Sequence, residues 1–164
     1  MAQRLVERDR SLWLSKSWTT RPRRVGESPH AYVFVDQNTF HQRVESGGFL
    51  EWAEFLGHCY GTPLVDPPPG SDVLLEIDLQ GARQIAGKVP DALLVLLVPP
   101  STEVQQQRLR ARGDPEDEVQ RRVAKGLEEQ RLGREMTDHV VVNDDLESAV
   151  SQVAGILDAR RRAR

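Results

Sequence analysis

The segment Asp72-Val73-Leu74-Leu75-Glu76-Ile77-Asp78 is a short aliphatic run that passes almost directly into a helical pattern from Gly81 to Val89. Two further runs share its texture, Ala92-Leu93-Leu94-Val95-Leu96-Leu97-Val98 and His139-Val140-Val141-Val142-Asn143. Short runs this rich in aliphatic residues suit strands covered on both faces, as in a parallel sheet. Helical patterns alternate with them. Ser101 stands as an N-cap ahead of Glu103 and Val104. Leu146, Ala149, Val150, Val153, Ile156 and Leu157 fall at helical spacing on the last element. This alternation predicts an α/β layered domain built on a parallel sheet.

Upstream of the first run the texture changes. Tyr32-Val33-Phe34-Val35 alternates weakly, Asn38 to Ser46 reads as a helix stopped by Gly47-Gly48, Phe49 to Phe55 follows, and Gly57 to Pro63 reads as a turn. Residues 32–66 are therefore expected to form a small strand-rich lobe inserted in the α/β core. Pro115 to Met136 carries Glu and Arg at short spacings and reads as an exposed helical arm, with 112–136 a lid region. Near the start lies Ser17-Trp18-Thr19-Thr20-Arg21-Pro22-Arg23-Arg24-Val25-Gly26-Glu27, with Tyr32 just beyond. Arginines fixed in a Gly/Pro-bearing loop bind phosphate oxygens bidentately, and a tyrosine hydroxyl supplies another donor. A solvated basic loop has the same composition, so this stretch alone leaves both readings open.

Composition narrows the classes. A chain of 164 residues is expected to form one domain with a sizeable core. A formal net charge of −3 gives no global basic field for a nucleic-acid backbone. The single cysteine, Cys59, excludes an internal disulfide and fits a reducing compartment. No apolar run approaches the ~18–20 residues of a membrane span. Residues 1–8 are charged and lack the apolar region of a signal peptide, so the expectation is a cytoplasmic protein without a membrane partner. His30, His41, His58 and His139 show no ligand spacing, and no zinc site is expected.

In order along the chain stand TTRPRRVGE, YVFVD, FLEWAEF, YGTP, VLLEIDLQGAR, VPPS, RLRARG and VVVNDDL. Single motifs of this kind are common, but eight in this order resemble the guanylate kinase family of P-loop nucleoside monophosphate kinases. The resemblance runs from about Ala2 to the last helix. It implies a P-loop NTPase-type parallel sheet with helices on both faces, with GMP and ATP as substrates. Mg²⁺ would accompany ATP, without a dedicated protein metal site. By position, the resemblance gives the GMP phosphate to Arg21, Arg24 and the hydroxyls of Tyr32 and Tyr60. It puts Glu51 against guanine, gives Ser17 and Thr62 to the base, and includes Gly61 in the GMP site. Glu76 and Asp78 match acidic nucleotide-site residues, two apart on a strand and so on one face. Arg108, Arg112 and Arg122 match arginines that close over the transferring phosphoryl group. Arg112, Asn143 and Asp144 match the ATP site.

The chemistry of these residues is compatible with the roles. An ionised carboxylate only accepts hydrogen bonds, and guanine offers adjacent N1–H and N2–H₂ donors that adenine lacks. Plain alternatives stand beside each role. Glu51 can be a solvated edge charge, Asp78 a helix cap, Arg108 and Arg112 a solvated stripe four residues apart. Tyr60 can be core packing, and Trp52 reads as core or pocket wall. Arg160-Arg161-Arg162 reads as a solvated tail, and Cys59 receives no role.

Two departures from the family pattern stand out. The resemblance implies a first strand and a G-x-x-x-x-G-K-[ST] loop, and no such motif occurs in the 164 residues. Ala2 to Asp9 match the last turns of the helix that follows that loop. Two explanations are open: a reading frame that begins upstream of Met1, or a GMP- or protein-binding module that has lost the loop. The joint persistence of the acceptor-side residues favours the first, and the upstream genomic frame discriminates them. A kinase for another phosphorylated acceptor is disfavoured by Glu51, Ser17 and Thr62. Secondly, Leu64 to Ser71 is too short and too proline-rich for the helix usual there.

Overall fold

The computed structural model describes residues 1–64 and 66–163, and the chain divides into two compact units. The first spans Ala2–Ala92. It opens with helix α1 (Ala2–Arg8) and strand β1 (Leu12–Leu14), followed by β2 (Trp18–Thr19) and β3 (Val33–Phe34). Helix α2 (Gln37–Glu45) and the hairpin of β4 (Phe49–Phe55) and β5 (His58–Pro63) come next, then β6 (Asp72–Leu74) and α3 (Leu79–Lys88). The second unit, Leu93–Arg164 with Met1, holds β7 (Leu96–Val98), α4 (Thr102–Ala111), α5 (Glu116–Gly133), β8 (Val140–Val142) and α6 (Leu146–Arg162).

The expected parallel pairing is present, but as two two-stranded ladders, β1–β6 in the first unit and β7–β8 in the second. All three predicted strands are shorter than their aliphatic runs. After Leu74 the backbone leaves the ladder, and Asp78 caps α3 by accepting the Gly81 N–H at 2.8 Å. Glu76 and Asp78 therefore lie beyond the strand, and the expected shared strand face does not form. Coverage on both faces is also incomplete. A two-stranded ladder gives each strand one paired neighbour, and Val73, Leu97 and Val142 remain 39%, 39% and 46% exposed.

The strand-rich segment forms a four-stranded mixed sheet in the order β3-β2-β5-β4. Gly57 to Pro63, expected as a turn, is mostly strand β5. The reversal is confined to Leu56 and Gly57, both at positive φ (51° and 78°), the geometry of a tight two-residue hairpin. Helix α2 begins where Asp36 accepts the Thr39 N–H at 2.7 Å. It lays Phe40 on one face of the sheet, stacked on Phe49 with centroids 4.7 Å apart and edge-on to Trp52. Cys59 joins this core, with Trp18, Val35 and Val44 packed against it. Between β5 and β6 no described residue is helical; Val65, within both the expected lobe and this loop, lies outside the described residues.

In the second unit Ser101 caps α4, accepting the Val104 N–H at 3.3 Å, and Asp145 caps α6, accepting the Ser148 N–H at 2.8 Å. The stripe on α6 buries Ala149, Val150 and Val153. Helix α5 is not wholly exposed: Val119 and Val123 are buried, and Gly133 is close against Leu96 of β7. Arg160, Arg161 and Arg162 are the last turn of α6 rather than a tail, where cations suit the helix dipole. No helix of the described residues is long and apolar enough to cross a membrane.

Phe40 is fully buried at the centre of the first unit's aromatic core. Phe40→Ala is expected to cost about 3–5 kcal/mol in urea unfolding of the 164-residue chain; a loss below about 1 kcal/mol would contradict this packing.

Candidate active site

The arginine loop leaves β2 at Thr19. The Thr19 hydroxyl accepts the Arg21 N–H at 3.1 Å and donates to the Cys59 carbonyl at 3.0 Å, which ties the loop to β5. Gly26, at φ 77°, lets the chain turn back so that Glu27 meets Arg21. Arg21 is 6% exposed. Its Nη1 and Nη2 donate to the two Glu27 carboxylate oxygens at 3.0 and 2.7 Å, and Nη1 also donates to the Pro22 carbonyl at 2.7 Å. Glu27 additionally accepts the Arg24 backbone N–H at 2.9 Å. The hydrogen bond from Arg21 holds the Glu27 pKa below the ordinary carboxylate value. This fork–fork pair commits one edge of the guanidinium, and Tyr60 neighbours the rest of the fork.

Rings complete this end of the site. The Arg21 guanidinium lies 5.6 Å from the Tyr32 ring centroid and 5.8 Å from that of Phe34. Tyr32 and Tyr60 meet edge to face at 6.2 Å. Burial opposes the Arg21 charge, but Glu27 and then Tyr60 outweigh it and raise the pKa. Burial, and then the Glu76 carboxylate, push the Tyr32 phenol upward. Arg21, Tyr32 and Tyr60 are thus mutual neighbours, with Glu76 near Tyr32.

Glu51 reaches its position through an irregularity in β4. Phe49 pairs with Pro63 and Glu51 with Thr62, so two steps on β4 match one step on β5. This is a β-bulge. Strand alternation alone would give Phe49 and Glu51 the same face. The extra residue, Leu50, instead leaves Phe49 on the aromatic face with Trp52 and Gly61, and turns Glu51 to the face of Thr62, Tyr60 and Thr19. Gly61 fits the first face closely, because a Cβ there would strike the Phe49 ring. Trp52 lies on this aromatic face, away from Glu51, and so is not a wall of the candidate pocket.

Glu51 is 4% exposed, and its carboxylate accepts the Thr62 N–H at 2.9 Å. Burial raises its pKa above the ordinary value; Thr62 and Lys88 lower it, and Asp78 raises it further. Gly81 packs against its second oxygen, where a Cβ would overlap Oε2. The Thr62 hydroxyl lies beside this carboxylate, fully buried, without a hydrogen bond of good geometry to any described group. A buried hydroxyl without a partner calls for an explanation, and a ligand is one. Ser15, 5% exposed, has a second such hydroxyl that no sequence motif marks. Ser17 lies one residue before β2, its carbonyl accepting the Val33 N–H at 2.9 Å.

The remaining predicted residues lie in the second unit. Arg108 donates to the carbonyls of Asn143 and Asp144 at 2.6 and 2.8 Å, which brings those three together. Arg112 is the C-cap of α4, beyond the helix expected to carry it with Arg108. It pairs with Asp114, and Arg122 on α5 approaches the same carboxylate at 3.3 Å while also pairing with Glu118. Asp114, nearly buried, therefore gathers two of the three arginines, although it stands just outside the motif RLRARG. An open groove of about 560 Å³ lined by His139, Val141, Gln152, Ile156 and Arg160 contains none of the predicted residues. No cluster of three or more His, Cys, Asp or Glu able to hold a metal occurs among the described residues.

Comparison with known proteins addresses the whole chain. The family described as "Guanylate kinase" matches residues 3–160. The guanylate kinase of Synechococcus sp. (strain CC9902) is 47% identical over 160 residues, covering 93% of this chain and 84% of that protein. That of Thermus thermophilus is 46% identical over 165 residues, covering 97% and 74%. The crystal structure of guanylate kinase from Anaplasma phagocytophilum superposes with a TM-score of 0.74 at 30% identity, covering 96% of this chain and 79% of that one. With this coverage and identity, and a mixed α/β fold in common, the chain belongs to the guanylate kinase family of nucleoside monophosphate kinases.

Proposed function

We propose that this chain binds GMP in its first unit and serves the transfer of the γ-phosphoryl group of ATP to it, giving GDP and ADP. The observation that carries this reading is the buried Glu51 carboxylate, on the same sheet face as Tyr60 and the unpartnered Thr62 hydroxyl. Guanine N1–H and N2–H₂ supply the donors that such a carboxylate lacks, with the Ser17 and Thr62 hydroxyls at the base and Gly61 in the same GMP site. Adenine there would leave the carboxylate desolvated and unpaired. Arg21 and Arg24, with the Tyr32 and Tyr60 hydroxyls, receive the GMP phosphate. Glu27 orients Arg21 by holding one edge of its fork. Glu76 and Asp78 border the acceptor, and Asp78 also starts α3.

In the reaction a GMP phosphate oxygen attacks the γ-phosphorus, and the bond from that phosphorus to the β–γ bridging oxygen breaks. The protein positions the reactants and neutralises charge, without a covalent enzyme intermediate. Arg108, Arg112 and Arg122 are the residues proposed to stabilise the transferring group, exchanging their present carbonyl and carboxylate partners for phosphoryl oxygens. Arg112, Asn143 and Asp144 serve the ATP side. Mg²⁺ bound with ATP would offset the charge of its phosphates, with no residue of this chain assigned to hold it. Residues 32–66 form the acceptor lobe and 112–136 the lid in this reading.

Calorimetric titration tests the acceptor site. Glu51→Gln is expected to weaken GMP binding by about one to two orders of magnitude, the range of lost hydrogen bonds to a charged group. Arg21→Ala is expected to weaken GMP and IMP alike, because it acts on the phosphate. Wild-type affinity for GMP in Glu51→Gln would refute the base assignment.

The pH dependence has a definite sign. Burial raises the folded-state pKa of Glu51 above its unfolded value, so this group removes stability as pH rises from the unfolded pKa to the folded one. GMP needs the ionised form, so binding is expected to fail on acidification at a pH above the ordinary glutamate range of about 4.3. Glu51→Gln is expected to unfold at the same or a higher temperature at neutral pH while losing GMP affinity.

A second reading is a module that binds GMP or a protein partner without phosphoryl transfer, and the 164 residues hold no G-x-x-x-x-G-K-[ST] motif with which to tell the two apart. Backbone N–H groups and a lysine on the β- and γ-phosphates are what that motif supplies. The 164 residues alone are expected to bind GMP and to turn over slowly or not at all. Ordinary turnover in a coupled ADP-release assay would contradict this.

A further inference from the structure

Helix α3 covers the open edge of β4 in a repeating pattern. Gln80 Nε2 donates to the Glu54 carbonyl at 2.9 Å, Gln84 Nε2 to that of Trp52 at 2.7 Å, and Lys88 Nζ to that of Leu50 at 2.6 Å. Gln84 Oε1 also accepts the Trp52 N–H at 3.4 Å. The helix donors are four residues apart and the strand carbonyls two apart. Four helical residues advance about 6.0 Å, and two strand residues about 6.7 Å, so the rows stay in step over three rungs. A polar stripe on a helix thereby satisfies an edge strand that would otherwise present free carbonyls.

The third rung differs from the other two. Leu50 is the residue that the bulge leaves without a partner on β5. Its carbonyl is the one that receives an ammonium rather than an amide, and a charged donor makes a stronger bond than a neutral one. Glutamine, which serves the first two rungs, has a shorter stem and no charge. The groups facing Glu51 are the Thr62 N–H and hydroxyl from β5, the Asp78 carboxylate at the start of α3, and the Lys88 ammonium at its end.

We propose that Lys88 is a positioning residue for base recognition: by holding the Leu50 carbonyl it fixes the bulge that turns Glu51 to the Thr62 face. The inference rests on the reading of Glu51 as the guanine-facing carboxylate. In this role Lys88 acts through the strand, by its bond to the Leu50 carbonyl, and through its charge. That charge also offsets Asp78 in keeping Glu51 ionised for the base.

The test is calorimetric titration of the 164-residue chain with GMP and with IMP, which lacks the 2-amino group, across pH. Lys88→Met keeps the aliphatic stem and removes the donor. It is expected to weaken GMP binding roughly tenfold, the scale of one charged hydrogen bond. The preference for GMP over IMP shrinks, and the acid limb of GMP binding moves to higher pH. Lys88→Arg, which keeps donor and charge, restores affinity to within about threefold of wild type. Unchanged GMP affinity and acid limb in Lys88→Met would overturn the proposal. So would an equal loss for GMP and IMP without a pH shift, the mark of general loosening. Glu51→Gln is measured in parallel. If it loses the GMP preference while Lys88→Met keeps it, only the role of Lys88 falls; if Glu51→Gln binds GMP as wild type does, both readings fall together.

Discussion

Between Phe49 and Glu51 two residues of β4 stand opposite one step of β5, and this extra residue decides which side of the sheet receives a carboxylate. In plain alternation Glu51 would enter the aromatic cluster of Phe40, Phe49 and Trp18. A charge there would lack donors and would cost several kcal/mol, about the range for an uncompensated buried polar group or more. The bulge lets one strand serve both faces. Phe49 anchors the sheet to α2, and Glu51 meets the Thr62 N–H on the side where Tyr60 and the arginine loop lie. The aromatic core and the candidate base site are thus two outcomes of one backbone irregularity.

Both units hold their arginines in advance of any substrate. Arg21 is gripped by Glu27, Arg108 by two carbonyls, and Arg112 and Arg122 share Asp114. A guanidinium fixed by a protein carboxylate needs less ordering when an anion arrives, which is the sense in which such sites are preorganised. In the first unit the fixed fork sits over the rings of Tyr32 and Phe34, so its orientation is constrained from below as well as along its edge. In the second unit the carboxylate partners are less buried, apart from Asp114.

Some of this is legible in the sequence and the rest is not, for physical reasons. Helix α2, the caps at Ser101 and Asp78, and the hydrophobic stripe of α6 depend on contacts within a few residues, and local patterns report them. The cluster of Arg21, Tyr32 and Tyr60 is legible through motif order and family resemblance, not through spacing. Strand β5 reads as a turn because His58-Cys59-Tyr60-Gly61-Thr62-Pro63 has little aliphatic character; pairing with both β4 and β2 overrides that weak propensity. The lengths of β1, β6, β7 and β8 depend on long-range partners that no local run reveals. The bulge at Leu50 has no signature in FLEWAEF at all. The Gln80, Gln84 and Lys88 row does have one, a polar i, i+4, i+8 stripe, but its meaning appears only once an edge strand lies beside it.

The central claim is that the sheet presents a buried, ionisable carboxylate to a guanine base. Carboxyl ¹³C chemical shifts of Glu51, followed through a pH titration with and without saturating GMP, test it most directly. The expected result is a midpoint above the ordinary glutamate range in the free protein and a marked fall in that midpoint when GMP is bound, because donors on the base favour the charged form. A midpoint that GMP leaves unmoved would contradict it.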